Sequence, residues 1–171
     1  MSLSLYDASI PTFLHTLRSL KAILDKAVAH AEARKFDPNV FVSSRLYPDM
    51  LPFNRQIQIA SDAAKGAAAR LSGTEPPKFE DNETTMAELI ARLTKTIDYL
   101  ESFKPAQFEG DDNRVITIKS PRMTLNFTAV NFVRHWALPN FFFHITTTYA
   151  LLRHGGVEIG KLDYLGPIPQ A

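Results

Sequence analysis

Apolar residues recur at helical spacing in three long segments of the chain. The segments 9–35, 48–71 and 85–104 each place apolar side chains at i, i+3, i+4 and i+7, with charged residues between them. The third segment has the strongest start signal, because Thr85 and Glu88 form the T-x-x-E pattern of a capping box. The pattern therefore predicts three amphipathic helices, the second of which begins between Pro48 and Pro52.

The segments between these helices differ in length and in turn chemistry. Residues 36–47 contain Asp37-Pro38-Asn39, a turn sequence, and form a connection longer than most helix–helix loops. We therefore expect a long crossover or a pocket lid there. Residues 74–81 contain two prolines and predict an exposed connector.

The period of the pattern changes from helical to alternating after the third helix. Residues 114–119 and 123–128 alternate with period 2 and are rich in β-branched side chains, and residues 120–122 separate them as a turn. This predicts a small β-hairpin. Residues 129–137 then predict a brief helix that leads into a further helix at Pro139.

The last helix carries a stripe of polar side chains in apolar surroundings. From Pro139 to the stop signal at Gly155-Gly156 it is apolar nearly all round, which is typical of a buried helix. Asn140, His144 and Thr148 lie at i, i+4 and i+8, with Thr147 beside them. His144 is then either a hydrogen-bonded core histidine or part of a pocket wall or metal site. The glycines and prolines after Gly156 predict a non-helical tail along the bundle surface.

Other polar residues are candidates for the same pocket. Tyr47 and Asp49 precede the second helix, and Gln56 and Asp62 lie along it. An aspartate beside His144 would orient the imidazole and raise its pKa. The alternative is that Asp49 caps the helix and Asp62 is solvated. The expected pocket lining is His144, Asn140, Thr148, Thr147, Tyr47 and Asp49.

Composition narrows the class of protein. The chain has 171 residues, a net charge of +1 and no cysteine. A net charge this small provides no excess of positive charge that would attract nucleic acid or an anionic membrane. No basic and apolar leader and no apolar run of membrane-spanning length is seen in the sequence. We expect one domain over residues 1–171, with no nucleic acid or membrane partner and a cytoplasmic location.

Catalytic signatures are sparse. The sequence has no glycine-rich phosphate loop, no H-E-x-x-H and no G-x-S-x-G. His144 has no second histidine at i+3 or i+4, and the neutral oxygens of Asn140, Thr147 and Thr148 are poor zinc ligands. The residues alone therefore point to no particular reaction.

Two stretches carry a resemblance to a known family. RLYPDMLPFNRQIQIASDAAKGAAARLSG (residues 45–73) and LPNFFFHITTTYALLRHGGVEIGKLDYLG (residues 138–166), with the T-x-x-E helix between them, resemble a domain-of-unknown-function family of the DinB/YfiT-like metalloenzyme superfamily. The resemblance covers nearly the whole chain. It implies a mainly α fold, a DinB-like four-helix bundle with a long crossover connection and one small β-hairpin before the last helix, often dimeric.

The resemblance also implies where a metal would lie. The resemblance implies three histidine ligands, one on the second helix and an H-x-x-x-H pair on the fourth. It also implies that some members of the superfamily transfer low-molecular-weight thiols. His144 matches the first histidine of the pair, Thr148 stands at the second, and the second helix has no histidine. We therefore expect no cofactor, with zinc or nickel as the alternative.

Three hypotheses for function follow. The leading one is a cytosolic homodimer that binds an unknown small molecule or partner in the pocket around His144 without a metal. The second is a metal-dependent hydrolase or transferase that uses His144 with carboxylates from other helices. The third is a structural homodimer with no chemistry in the pocket.

Overall fold

Helices carry most of the chain in the computed structural model, which describes residues 4–110, 112–120, 123–168 and 170. The elements in chain order are α1 (Ile10–Ala33), α2 (Phe53–Ser72), α3 (Met86–Glu101), β1 (Val115–Ser120), β2 (Met123–Thr128), α4 (Ala129–Phe132), α5 (Leu138–His154) and α6 (Lys161–Leu165). The predicted mainly α bundle with one hairpin before the last long helix is confirmed. None of the helices in the described ranges is long and apolar enough to cross a membrane.

The packing order of the four long helices explains the long crossover. Helix α1 packs against α3 and α5, and α2 packs against the same two helices, so α1 and α2 lie across the bundle from each other. The chain between them must therefore cross one end of the bundle. Asn39 in this crossover accepts a hydrogen bond from the Met86 backbone N–H at 2.9 Å, which fixes the loop to the start of α3.

The capping box at the start of α3 forms as predicted. The Thr85 hydroxyl accepts from the Glu88 backbone N–H at 3.2 Å, and the Glu88 carboxylate accepts from the Thr85 N–H at 3.0 Å. These bonds satisfy two of the donors that a helix start leaves unpaired.

Small side chains let α2 approach its neighbours closely. The inward face of α2 carries Ala60, Ala64, Ala67 and Ala68, all of them buried. Large side chains from α1 and α5, such as Phe13 and Phe141, fill the remaining space and make an edge-to-face contact with ring centroids 4.9 Å apart.

The hairpin covers one side of the bundle. Its strands pair antiparallel with Val115 opposite Thr128 and Ser120 opposite Met123, so β1 lies one residue later than predicted. The predicted turn includes residues 121–122, which lie outside the described residues. Ile116 is buried, and Phe127 packs against the helix that follows.

The brief helix predicted before Pro139 is confirmed, and it continues into α5 as one rod. A π-helical turn at Val133–Ala137 joins them, and the Leu138 N–H bonds to the Val133 carbonyl five residues back. Proline inside a helix removes one backbone donor and crowds the carbonyl four residues earlier. The wider turn accommodates the ring of Pro139 without interrupting the rod.

The predicted absence of helix from the C-terminal tail is wrong. Val157 and Ile159 are buried, and the chain then forms the short helix α6. Asp163 stabilises its start by accepting from the Gly160 backbone N–H at 2.7 Å. Residue Leu165 at the end of α6 bonds through its carbonyl to His15 Nε2 at 2.6 Å, which holds the tail on α1.

The connector between α2 and α3 is anchored by a buried arginine rather than simply exposed. Arg92 of α3 is 4% exposed. Its guanidinium lies 3.1 Å from Asp62, 3.0 Å from Asp81 and 2.9 Å from Glu83. Asp62 is thus ion-paired, and its side chain is also 44% exposed to solvent, as the interpretation of a solvated carboxylate expected. We call these four residues the Arg92 cluster.

Replacing Arg92 with methionine should destabilise the protein by about 3 kcal/mol, because three partly buried carboxylates lose their shared partner. The measurement is the free energy of unfolding in urea. Arg18→Met is the matched control, since Arg18 pairs with Glu101 on the exposed surface and its loss should cost less than about 1 kcal/mol. Equal losses in the two variants would contradict a stabilising role for the Arg92 cluster.

Candidate functional site

His144 is a buried residue at the contact between α5 and α2. It is 7% exposed, and its Nδ1 lies 2.7 Å from Oε1 of Gln56, which is itself 1% exposed. The partner of the imidazole is therefore an amide from α2. The sequence placed Gln56 along the second helix but assigned it no contact, because the pairing depends on how the two helices are packed.

The surroundings of Gln56 determine which ring nitrogen of His144 donates the hydrogen bond. Nε2 of Gln56 donates to the Leu51 carbonyl at 2.9 Å, so its Oε1 is the atom that faces His144 as an acceptor. The imidazole then donates from Nδ1 in its neutral form. Burial disfavours the charged form and lowers the pKa of His144 below its ordinary value.

The two threonines beside His144 bond to their own helix. The Thr147 hydroxyl donates to the Phe143 carbonyl, and the Thr148 hydroxyl donates to the His144 carbonyl, both at 2.8 Å. Both residues are buried. Such bonds to the carbonyl four residues back satisfy the hydroxyl donors within the helix.

Asn140, one turn before His144, lines a surface cavity of about 200 Å³. We call it the bulge cavity, because the π-helical turn forms one wall; its lining includes Ala63, Ala67, Arg70, Trp136, Ala137 and Asn140. His144 is not among the lining residues. Within the described part of the chain, the half-buried Asn140 side chain makes no hydrogen bond.

Tyr47 and Asp49 were expected to line the pocket with His144, but both lie elsewhere. Both lie on the exposed part of the crossover, where Tyr47 is 66% exposed. Helix α2 begins at Phe53 after Pro52, so Asp49 does not cap it. The structure therefore brings His144 together with Thr147 and Thr148, assigns Asn140 to the bulge cavity, and leaves the two crossover residues on the surface.

The residues at His144 do not fit a metal ion. Gln56 offers a neutral amide oxygen that is already bonded to Nδ1, and the Thr148 hydroxyl is directed to a backbone carbonyl. The carboxylate of Asp62 belongs to the Arg92 cluster. Across the residues that the structure describes, no group of three or more His, Cys, Asp or Glu side chains could hold a metal.

The fold and the His144 contact define a DinB-like helical bundle whose central histidine is paired to an amide. The chain is similar to a DinB family member protein from Shewanella denitrificans, solved by crystallography at 1.83 Å resolution. The two share 45% sequence identity and superpose with a TM-score of 0.88, over 98% of this chain and 94% of that chain.

A second comparison, with models of protein families, identifies the family of this chain. A family model described as Domain of unknown function (DUF1993) matches residues 5–165, and the chain belongs to this family. The resemblance seen in the sequence is confirmed. No curated protein matches the chain.

The buried neutral His144 makes stability depend on pH. Its pKa is lowered in the folded state from an ordinary value of 6.5, so the unfolded chain binds the proton more readily. The stability that His144 contributes is fully present above about pH 6.5 and is lost as the pH falls through the folded-state pKa. Wild type should therefore lose more stability than His144→Gln between about pH 8 and about pH 5.

Urea unfolding of both proteins across this range measures the effect. His154→Gln is the control, because His154 is exposed at the end of α5. If the free energy of unfolding changed with pH equally in wild type and His144→Gln, burial of the imidazole would not disfavour its charged form.

Proposed function

We propose that this protein is a binding module that takes a small molecule in the bulge cavity without a metal ion. The observation that carries the proposal is the amide of Asn140, which lines a preformed cavity and bonds to no described residue. Solvent reaches this half-buried amide, so a molecule that enters the cavity can hydrogen-bond to it. A bound molecule with a hydrogen-bonding group would satisfy this amide.

The position of the cavity supports the same proposal. A π-helical turn forms one wall, and such turns occur frequently at functional sites. Trp136 and Ala137 belong to this turn, and both line the cavity. The wider turn therefore shapes the wall of the cavity as well as accommodating Pro139.

The size of the cavity limits its ligand. A volume of about 200 Å³ lies below the range of about 300–1,000 Å³ that is usual for drug-sized ligands. The proposed ligand is therefore a small metabolite rather than a peptide or a large cofactor.

His144 acts in this proposal as a positioning residue. It lies one turn after Asn140 on α5, and its bond to Gln56 holds that part of α5 against α2, which forms the opposite wall. The alternative of a metal-dependent hydrolase or transferase combines His144 with carboxylates, whereas the partner of His144 is the amide of Gln56. The cytoplasmic location expected from the sequence remains part of the proposal.

Filling the cavity should abolish binding. Ala63 is half-buried and lines the cavity, so Ala63→Phe should occupy the space of the ligand, whereas Ala150→Phe changes a half-buried alanine outside it. The measurement is the fluorescence of Trp136, the only tryptophan in the chain, against a library of small metabolites. Compounds that bind wild type and Ala150→Phe, but not Ala63→Phe, are expected. A library without such compounds would reject the cavity as a binding site.

The exposed crossover supports homodimer formation as a second property. Four large apolar side chains, Val40, Leu46, Tyr47 and Leu51, are between 45% and 66% exposed within this one segment. Apolar groups gathered in this way are typical of an association surface. We propose that two copies of the chain meet through the crossover.

Light scattering after size exclusion tests the dimer. Wild type should have twice the monomer mass, and Leu51→Glu should give monomer, because a charge would be buried in the interface. Leu162→Glu is the control, since Leu162 is 78% exposed on α6, away from the crossover. Monomeric wild type at high concentration would contradict the proposal.

A further inference from the structure

Two charged residues line the bulge cavity, and only one of them is neutralised. Oδ1 of Asp62 lies 2.9 Å from Lys65 Nζ and 3.1 Å from Arg92 Nη2. Arg92 also pairs with Asp81 and Glu83, and Arg55 pairs with Asp81, so three cations balance the three carboxylates of the Arg92 cluster. Arg70 Nη1 donates to the Gly66 carbonyl at 2.9 Å. Among the described residues, no carboxylate lies within 4 Å of the Arg70 guanidinium. The free charge at the cavity is therefore positive.

The apolar lining suits a flat ring. Trp136 and Phe132 form an aromatic wall, and Phe127 packs against Trp136 with ring centroids 5.9 Å apart. The opposite side, formed by α2, contains Ala63 and Ala67, whose side chains end at Cβ and leave space between the larger lining residues Ile59, Asp62 and Arg70. Aromatic rings pack well against such a wall in offset or edge-to-face geometry.

We propose that the bulge cavity binds a small aromatic carboxylate, an inference that rests on the proposed function and names its ligand class. The ring lies along Trp136, and the carboxylate pairs with Arg70, whose planar guanidinium matches a carboxylate with two parallel hydrogen bonds. Asn140 supplies a donor and an acceptor to a further polar substituent. The small volume favours one ring over a larger anion.

Three probes with the same ring and different charge test this inference: benzoate, benzamide and benzamidine. The reporter is the indole N–H resonance of Trp136, which is unique because the chain has one tryptophan. Benzoate should shift this resonance and bind at least about tenfold more tightly than benzamide, and benzamidine should bind most weakly.

Arg70→Gln should reduce benzoate affinity to that of benzamide and leave benzamide binding unchanged. Arg34→Gln is the matched control, because Arg34 lies at the end of α1 and does not line the cavity. The resonance of the free variant shows whether the cavity wall is intact. Asn140→Ala provides a second variant, in which affinity for benzoate and benzamide should stay unchanged, because neither probe carries the further polar substituent that Asn140 would bind.

The outcomes separate this inference from the proposed function. Equal binding of benzoate and benzamide to wild type, or unchanged benzoate affinity in Arg70→Gln, would overturn the carboxylate class and leave the cavity as a binding site. No shift with any probe would also overturn the carboxylate class. In that case the metabolite screen with Ala63→Phe decides whether the cavity binds anything at all.

Discussion

The contact between α2 and α5 is the constraint on which the bundle and its cavity both depend. The alanines of α2 allow the two helices to approach, and the Gln56–His144 bond fixes their relative position. Both side chains are buried, and any other packing of α2 on α5 would leave them without a hydrogen-bond partner at a cost in free energy. The bond therefore favours one packing arrangement of the two helices. The bulge cavity lies beside this contact, between α2 and the π-helical turn that leads into α5, and Asn140 of α5 completes its lining.

Pairing His144 to an amide changes what the helix contact can do. The metal site that the resemblance implied would take a histidine from the second helix. Here α2 supplies Gln56, and the contact closes with a hydrogen bond between two neutral groups. The imidazole needs no ion for its orientation, because Gln56 is itself held by the Leu51 carbonyl.

The sequence predicted most of the fold because its signals are local. Periodicity located the helices, the capping box located the start of α3, and period-2 alternation located the hairpin. Pro139 located the start of α5, but the π-helical turn before it was not predicted, because a proline at a free helix start and a proline after such a turn look the same in a sequence. The helix α6 was not predicted, because it is short and lies between Gly160 and Gly166, which read as turn residues. Its start is stabilised by Asp163, which accepts from the Gly160 N–H.

The candidate site could be predicted only in part. The polar stripe on α5 identified Asn140 and His144, but their surroundings depend on residues far away in the chain. Gln56 lies 88 residues from His144, and Arg70 reaches the cavity from the far end of α2. Pairings of this kind follow from helix packing, which no local pattern encodes.

The diagonal placement of α1 and α2 has a consequence for synthesis on the ribosome. The apolar face of α1, with Phe13, Leu17 and Leu20, is covered by α3 and α5, which are the later helices of the chain. The first helix therefore emerges before either of its partners exists. Contacts between distant parts of a chain also form slowly. The nascent protein thus leaves the ribosome with an unburied apolar helix, the kind of segment that chaperones shield until the last helix arrives.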